Sequence, residues 1–478
     1  MRNTFTNAVI NKPARTENGM KARASTANSL VDLFFKIGAS RGKNILPDWT
    51  AARVQDADIA TRIALWVRDI RGGAGERKLF RDILADMIKT DPDRARAVLA
   101  RIPELGRWDD VLVYLNTDLE NDALDLIRDA IETGNGLCAK WLPRQGEVAA
   151  KIRKHFGWTP KFYRKRLVNM TKVVETQMCA KEWDGINFNH VPSVASARYK
   201  KAFFRHVPEK YKTWTSALVS TDPKVKEEVK VNAGAVYPYD VIKGLGIGSY
   251  SFNTNNYNDA NMNHIIAQWN ALPNFVGDAS ILPLVDVSGS MTQAVGSGIT
   301  AMDVAVSLGL YLADKNKGVF KDTFLTFTSK PQLFHLVGNV LDKIKQMITS
   351  SWAMNTNFHS AIQTILDTAI AGNVPAEEMP KILLILSDMQ FDSCTRHDDS
   401  AMEMLRRKYS DAGYEVPAVV FWNLNSKDNS PVKYDTHGAA LVSGFSPTIV
   451  KSVLAADMEE FTPEGIMMKT IMNDRYNF

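Results

Sequence analysis

The sequence predicts two units joined end to end. An α-helical repeat array, HEAT-like in look, covers residues 1–275, and a doubly wound, Rossmann-like α/β sheet covers residues 276–478. Three observations point to this division. Apolar residues recur at helical spacing through the first half. After residue 276 the period changes to apolar runs of strand length alternating with helical segments. Charge divides at the same place: residues 1–275 hold 42 Lys and Arg against 30 Asp and Glu, a net +12, whereas residues 276–478 hold 16 against 23, a net −7.

The first ~50 residues read as an irregular arm that ends in a helix around Asn28–Ile37. From Asp56 the helical period is clear. In IATRIALWVRDI, Ile59, Ile63, Leu65, Trp66 and Ile70 form an apolar stripe; RGGAGE breaks it, and RKLFRDILADMIKT resumes with Leu79, Phe80, Ile83, Leu84 and Met87. Thr90–Asp91 are placed to cap a further helix, with Pro92 near its first position. WDDVLVYL and DALDLIRDAIETG continue the series of short amphipathic helices, without a fixed-period repeat. Residues 245–262, rich in Gly, Asn and Ser, read as a loop or linker. Beyond it ILPLV, DTFLTF, PQLFHLV, KILLILS and VPAVVFW read as strands. Met302–Lys315, Phe358–Ala371 and Ser400–Asp411 read as helices between them, the alternation of an open, mainly parallel sheet.

Composition narrows the compartment. Cys138, Cys179 and Cys394 are far apart and lack CxxC spacing, so neither a disulfide framework nor a zinc site is expected, which fits a reducing environment. MRNTFTNAVINKPARTENG has no apolar segment of the kind a secretory signal needs. No uncharged apolar run approaches the roughly 18–20 residues that cross a bilayer. The expectation is a cytoplasmic protein that does not engage membranes, monomeric because no heptad seam suggests a dimer.

Chemistry concentrates where the first strand ends. ILPLVDVSGSM, residues 281–291, sets Asp286, Ser288 and Ser290 at alternate positions at a strand's carboxyl end, where open α/β sheets bind ligands. Two later segments supply partners: Thr356 in NTNF and Asp388 in ILLILSD. Two carboxylates and three hydroxyls, without sulfur or imidazole, suit Mg²⁺ or Mn²⁺. No nucleophile or spare base accompanies them, so no catalytic residue is expected, and His335, His359 and His397 read as surface or structural. In order and spacing, DVSGS, Thr356 and LSD resemble the metal-ion-dependent adhesion site of a von Willebrand factor A domain. The family resemblance implies that Asp286, Ser288, Ser290, Thr356 and Asp388 hold the ion. Met354–Asn355 precede Thr356 where that family commonly has glycines.

Residues 151–212 carry 15 Lys and Arg against 4 Asp and Glu, interleaved with Phe156, Trp158, Phe162, Tyr163, Trp183, Phe188, Tyr199, Phe203, Phe204 and Tyr211. Cations neutralise phosphates and aromatic faces stack on unpaired bases. Lys151, Arg153, Lys154, Lys161, Arg164, Lys165, Arg166, Lys172, Arg198, Lys200, Lys201 and Arg205 are therefore candidate RNA contacts; a solvated basic face over an aromatic core is the alternative. IRGGAGER lacks the Lys-Ser/Thr of a phosphate loop and reads as an inter-helix turn, with Arg71 and Arg77 as further phosphate contacts.

A helical array followed by such an A domain resembles the Ro autoantigen (TROVE) family. RDIRGGAGERKLFRD, AKWLPR, KEWDGINFNHVPSVASARYKKAFFRH and SDMQFD are similar to a viral, plant and bacterial relative of that family, itself uncharacterised. The resemblance implies a helical ring carrying the A domain, small structured RNAs on its basic outer surface and single-stranded RNA ends in its hole. The expected protein is a non-enzymatic RNA binder. The alternative is a protein-interaction or viral assembly module whose metal captures a partner's acidic side chain. A metal-dependent nuclease is disfavoured, because one oxygen-ligand site without a base is poor equipment for phosphodiester hydrolysis.

Overall fold

A computed structural model describes residues 13–247, 254–255, 257–296, 298–327, 330–348, 356–393 and 398–478. The arm before Pro13, part of the segment read as a linker, and Met354, Asn355, Cys394 and His397 lie outside the described residues.

The arm is not irregular where described: Pro13–Arg15 (β1) and Lys21–Arg23 (β2) pair as an antiparallel hairpin. Helices Ser29–Ile37 (α1), Leu46–Gln55 (α2), Ala57–Arg68 (α3), Arg77–Thr90 (α4), Pro92–Val98 (α5) and Ile102–Leu105 (α6) follow. Side-chain caps start several of them. Asn28 accepts from the N–H groups of Leu30 and Val31, Asp56 from those of Asp58 and Ile59, and Asp91 from that of Arg94, with Pro92 in the first turn as expected. Most positions of the predicted stripes are buried: Ile63, Leu65 and Trp66 on α3, and Leu79, Phe80, Ile83, Leu84 and Met87 on α4, whereas Ile59 and Ile70 are half-buried. WDDVLVYL differs, winding as a 3₁₀ helix over Trp108–Tyr114; its Asp110 is fully buried between Arg68 (2.7 Å) and Arg81 (2.6 Å).

The array continues through Glu120–Glu132 (α7), Gly136–Trp141 (α8), Gly146–His155 (α9), Pro160–Met170 (α10), Val174–Cys179 (α11), Ser193–His206 (α12), Pro208–Leu218 (α13), Pro223–Glu227 (α14), Pro238–Ile242 (α15) and Asp259–Asn270 (α16). Helix α16 begins inside the segment read as a linker because Asn258 caps it. Helices α12, α13 and α16 enclose a second, smaller core around Phe188, Phe203, Tyr211 and Trp214. His264 is fully buried there, between Ser196 Oγ (2.9 Å) and Tyr211 Oη (2.6 Å); burial, helped by nearby Lys200, brings its pKa down to about 3 and keeps it neutral.

The sheet half comprises Ile281–Asp286 (β3), Ala294–Gly296 (β4), Ile299–Thr300 (β5), Ala301–Lys315 (α17), Thr323–Phe327 (β6), Gln332–His335 (β7), Val340–Ile348 (α18), Phe358–Ala371 (α19), Ile382–Ser387 (β8), Ala401–Asp411 (α20), Ala418–Asn423 (β9), Ala439–Ser443 (β10), Val450–Leu454 (α21) and Pro463–Ile471 (α22). Six strands lie in the order β10-β9-β8-β3-β6-β7, parallel except for β7 at the edge. The chain winds outward from β3 to β7, then crosses to β8 and winds the other way. The order reverses between β3 and β8, which places the switch point of the fold at their carboxyl ends. Strand β10 was not among the expected strands. Its alanines are weak strand formers, and it is fully buried, with α1 and α22 packed on it.

Both ends of the helical array dock on the sheet half. At one end α1 lies on β10, where Gly38 N–H donates to Ser443 Oγ (3.0 Å); a Cβ on Gly38 would sit 2.7 Å from the Ser443 carbonyl. At the other, Trp269 Nε1 donates to Asp314 Oδ2 (3.0 Å), and buried Lys343 bridges Asp314 and Asp322. The ends also meet each other, for Tyr237 Oη donates to the Ala74 carbonyl (3.3 Å) in the RGGAGE turn. That turn is a packing node, not a phosphate loop. A Cβ on Gly73 would fall 1.8 Å from the Trp66 carbonyl oxygen, and Asp69 is clasped by Arg475 (2.7 Å) and Tyr476 (3.0 Å). Arg71 and Arg77 are both exposed, and Arg71 donates to the Glu104 carbonyl (3.3 Å). Among the described residues no helix is long and apolar enough to cross a membrane.

Candidate metal centre and a basic helical face

The three separated pieces converge at the switch point. Asp286 ends β3 and Asp388 follows β8, the strand paired beside it. Ser288 N–H donates to Asp286 Oδ1 (2.9 Å), turning the D-x-S-x-S segment back over the strand end, and the Ser288 and Ser290 hydroxyls stand 3.1 Å apart. Thr356, just before α19, is tied to the same end: its carbonyl accepts the Asp392 N–H (3.0 Å) from the loop after β8. Asp286, Ser288, Thr356 and Asp388 are buried, and Ser290 is half-buried.

Sequence reasoning missed the support for this cluster. Ser387 Oγ donates to Asp286 Oδ2 and accepts the Met389 N–H (3.0 Å). Met389 has φ +63°, a left-handed conformation rarely adopted by a residue with its side chain. The Gln390 N–H donates to Asp388 Oδ1 (3.3 Å). The signal was present in LSDMQ, but no spacing rule marks a serine that braces a neighbour's carboxylate.

The two carboxylates are buried side by side at the strand ends. Burial, then the neighbouring Asp388, pushes the Asp286 pKa up to about 7, and burial raises that of Asp388 as well. Asp388 Oδ2 is buried with no hydrogen-bond partner. Among the described residues no three His, Cys, Asp or Glu side chains converge, so the donors are two carboxylates with hydroxyls. That set fits a small hard cation.

The basic candidates separate into two groups. On α9 and α10, Lys154, Lys161, Arg164, Lys165 and Arg166 are exposed and Arg153 is half-buried; Lys172 is exposed just beyond. Trp158 packs edge-on against Phe156 and Phe162, each with ring centroids 5.0 Å away, and Phe162 is 51% exposed. On α12, Arg198, Lys201 and Arg205 are exposed, but this helix packs with α13 and α16, not with α10. Two candidates do not stand as free surface cations. Lys200 is buried, its ammonium donating to the Ala197 carbonyl (3.1 Å), with burial lowering its pKa to about 8. Lys151 is held by Glu120 (2.7 Å). Tyr163, Phe188, Phe203 and Tyr211 are core residues, unavailable for stacking on bases. Elsewhere, His335 on the edge strand bonds Thr323 of β6 (3.1 Å), His359 lies in the first turn of α19, and Cys138 and Cys179 are free thiols.

Two family models match the chain, both described as domains of unknown function: DUF2828 over residues 143–282 and DUF7788 over residues 280–475. Uncharacterized protein L728 of Acanthamoeba polyphaga mimivirus is 28% identical over 513 residues, spanning 95% of this chain and 86% of that protein. The expected likeness to a viral protein of uncharacterised function is thus met. Among solved structures, the crystal structure of the Deinococcus radiodurans Ro (RSR) protein aligns over 94% of this chain and 100% of that one, with a TM-score of 0.48 and 15% identity.

Proposed function

We propose that the chain is a non-enzymatic RNA-binding scaffold in which the helical array takes RNA and the sheet half holds a divalent ion for a separate ligand. The outer face of α10 carries this reading. Lys161, Arg164 and Lys165 project there beside half-exposed Phe162, and none of the three is paired with a carboxylate among the described residues. Free cations next to an open aromatic ring suit phosphates with unpaired bases between them. The resemblance of the sequence to the Ro autoantigen family supports the same reading. Asp286, Ser288, Ser290, Thr356 and Asp388 would hold Mg²⁺ or Mn²⁺, which when bound offers an open position to an acidic oxygen.

Fluorescence anisotropy on single-stranded RNA at several salt concentrations tests it. The wild-type log–log slope should be near −4, from about −0.7 per neutralised phosphate. Replacing Lys161, Arg164, Lys165 and Arg166 together with Ala should flatten the slope and weaken binding to all sequences alike. Equal binding by that variant would remove the RNA reading. A protein-interaction module is the second reading, favoured by the unpartnered Asp388 Oδ2. An absorbance ratio of pure protein after purification from its own cell would promote it.

A further inference from the structure

The stretch GINFNHVP, residues 185–192, builds one wall of a cleft of about 530 Å³; α11 and the three residues before it build the other. The first wall is braced from behind. Lys210 Nζ on α13 donates to the Asp184 (2.6 Å) and Ile186 (2.8 Å) carbonyls. Trp214 Nε1 donates to Asn189 Oδ1 (2.9 Å), and Asn232 Nδ2 to the Asn189 (3.1 Å) and Val191 (2.8 Å) carbonyls. Such bracing gives the cleft its shape before any ligand arrives. Val174, Ile186 and Val191 are buried and form its floor. Two amides line it with their orientation set. Gln177 Nε2 donates to the Gly185 carbonyl (3.3 Å), and Asn187 Oδ1 accepts the Asn189 N–H (3.1 Å). Gln177 Oε1 is left as an acceptor and Asn187 Nδ2 as a donor, neither with a protein partner among the described residues. Lys172 stands exposed at the edge. Among the described residues no carboxylate pairs with it or lines the cleft: Glu175 is held by Lys140 (3.5 Å), and Glu182 and Asp184 are not in the wall.

An apolar floor with one acceptor, one donor and one unpaired cation matches a nucleotide. The base rests its faces on aliphatic side chains and turns its edge to the two amides, while its phosphate meets the ammonium. We infer that this cleft takes one unstacked base of single-stranded RNA, with the adjoining phosphate on Lys172. The inference rests on the RNA reading above and gives that strand a fixed point. Lys172 follows the end of α10, roughly 10 Å beyond Lys165 along the helix rise. A strand whose phosphates follow Lys161 and Lys165 thus arrives at the cleft. Every base carries a donor and an acceptor on its pairing edge, so the cleft registers that a base is present, not which one. A peptide backbone also offers a donor and an acceptor, but it brings no charge for Lys172.

The test uses the full chain and two fluorescein-labelled decamers, oligo(U) and a ribose-phosphate strand of the same length without bases. Anisotropy reads the preference for the first over the second. Gly185→Leu fills the cleft, and the fold accepts it, because a Cβ there meets only Gln177 Nε2, at 3.6 Å. It should remove about tenfold of the preference, through oligo(U) alone, and leave the salt slope unchanged. Gln177→Ala opens space instead of filling it and should remove about threefold. Lys172→Ala should weaken both strands alike and flatten the slope by about 0.7. Oligo(U) carrying 4-thiouridine, irradiated on the wild-type protein, should crosslink within residues 185–192. A preference unaltered in both cleft variants, with crosslinks confined to α10, overturns the inference and leaves the RNA reading standing. Binding of neither decamer removes both. Full RNA binding by both variants, with the amides of residues 185–191 protected from hydrogen exchange by an uncharged Val-Pro-Val peptide, would assign the cleft to a protein segment and overturn the inference.

Discussion

Asp286 and Ser387, 101 residues apart, meet at adjacent strand ends and are completely buried. Lys161, Arg164 and Lys165 occupy little more than one turn of a single helix and are exposed. The first arrangement is preorganised: each carboxylate is oriented by serine or backbone donors. The second is a field of long, exposed cationic side chains on one helix. The contrast teaches that one chain can hold a geometric site and a compositional one, and that each yields to a different kind of perturbation.

The largest expected effect is in the sheet half, at the ion triad beside the Trp269–Asp314 contact. Lys343→Met leaves Asp314 and Asp322 without the cation that bridges them. Breaking so buried a pair should cost about 3–5 kcal/mol in urea unfolding. An unchanged midpoint would mean that the triad adds nothing to the stability of the fold. Next, wild type should gain about 2.7 kcal/mol at Mn²⁺ concentrations 100 times Kd, read as an upward thermal shift. Asp286→Ala should abolish that gain and leave the RNA salt slope intact; a change in the slope would merge the two sites that the comparison keeps apart.

Acid should act through the helical half. His264 is held down to about 3 by burial, while an unfolded imidazole protonates near 6.5. Below pH 6.5 the unfolded chain therefore takes up a proton that the native state refuses. Stability present above that pH is lost as pH falls, on the order of 2 kcal/mol by pH 5. Urea midpoints at the two pH values measure it, and a cooperatively folding His264→Asn variant should lose most of the difference. The smallest effect is expected at the exposed ring: Phe162→Ala should weaken single-stranded RNA binding by about 1–2 kcal/mol without altering its salt slope.

The alternation of apolar runs and helices made the sheet legible, and D-x-S-x-S with two later strand ends made its switch point legible. Both depend on local period and on where strands stop. Ser387 escaped because its role comes from what the fold lays beside it, a strand end 101 positions earlier. Lys200 shows the same limit from the other side. Nothing in ARYKKAFF separates it from exposed Lys201; only the helical phase of α12 against its neighbours buries one and bares the other. Strand β10 was hidden because Ala-Ala-Leu-Val-Ser gains its strand character from helices packed on it, not from its own residues.

The clasp on Asp69 sets an order for folding. This carboxylate is fully buried, and its partners Arg475 and Tyr476 lie 406 and 407 positions further along the chain. Until they arrive, the turn that joins α3 to α4 carries an uncompensated charge in the interior. The early helices can form on local contacts alone, but the α3–α4 junction cannot reach its final state before the sheet half has brought the other end of the chain back to it. Such long-range closure slows folding and makes the native state leave in one step once formed, because neither end of the array is free to fray.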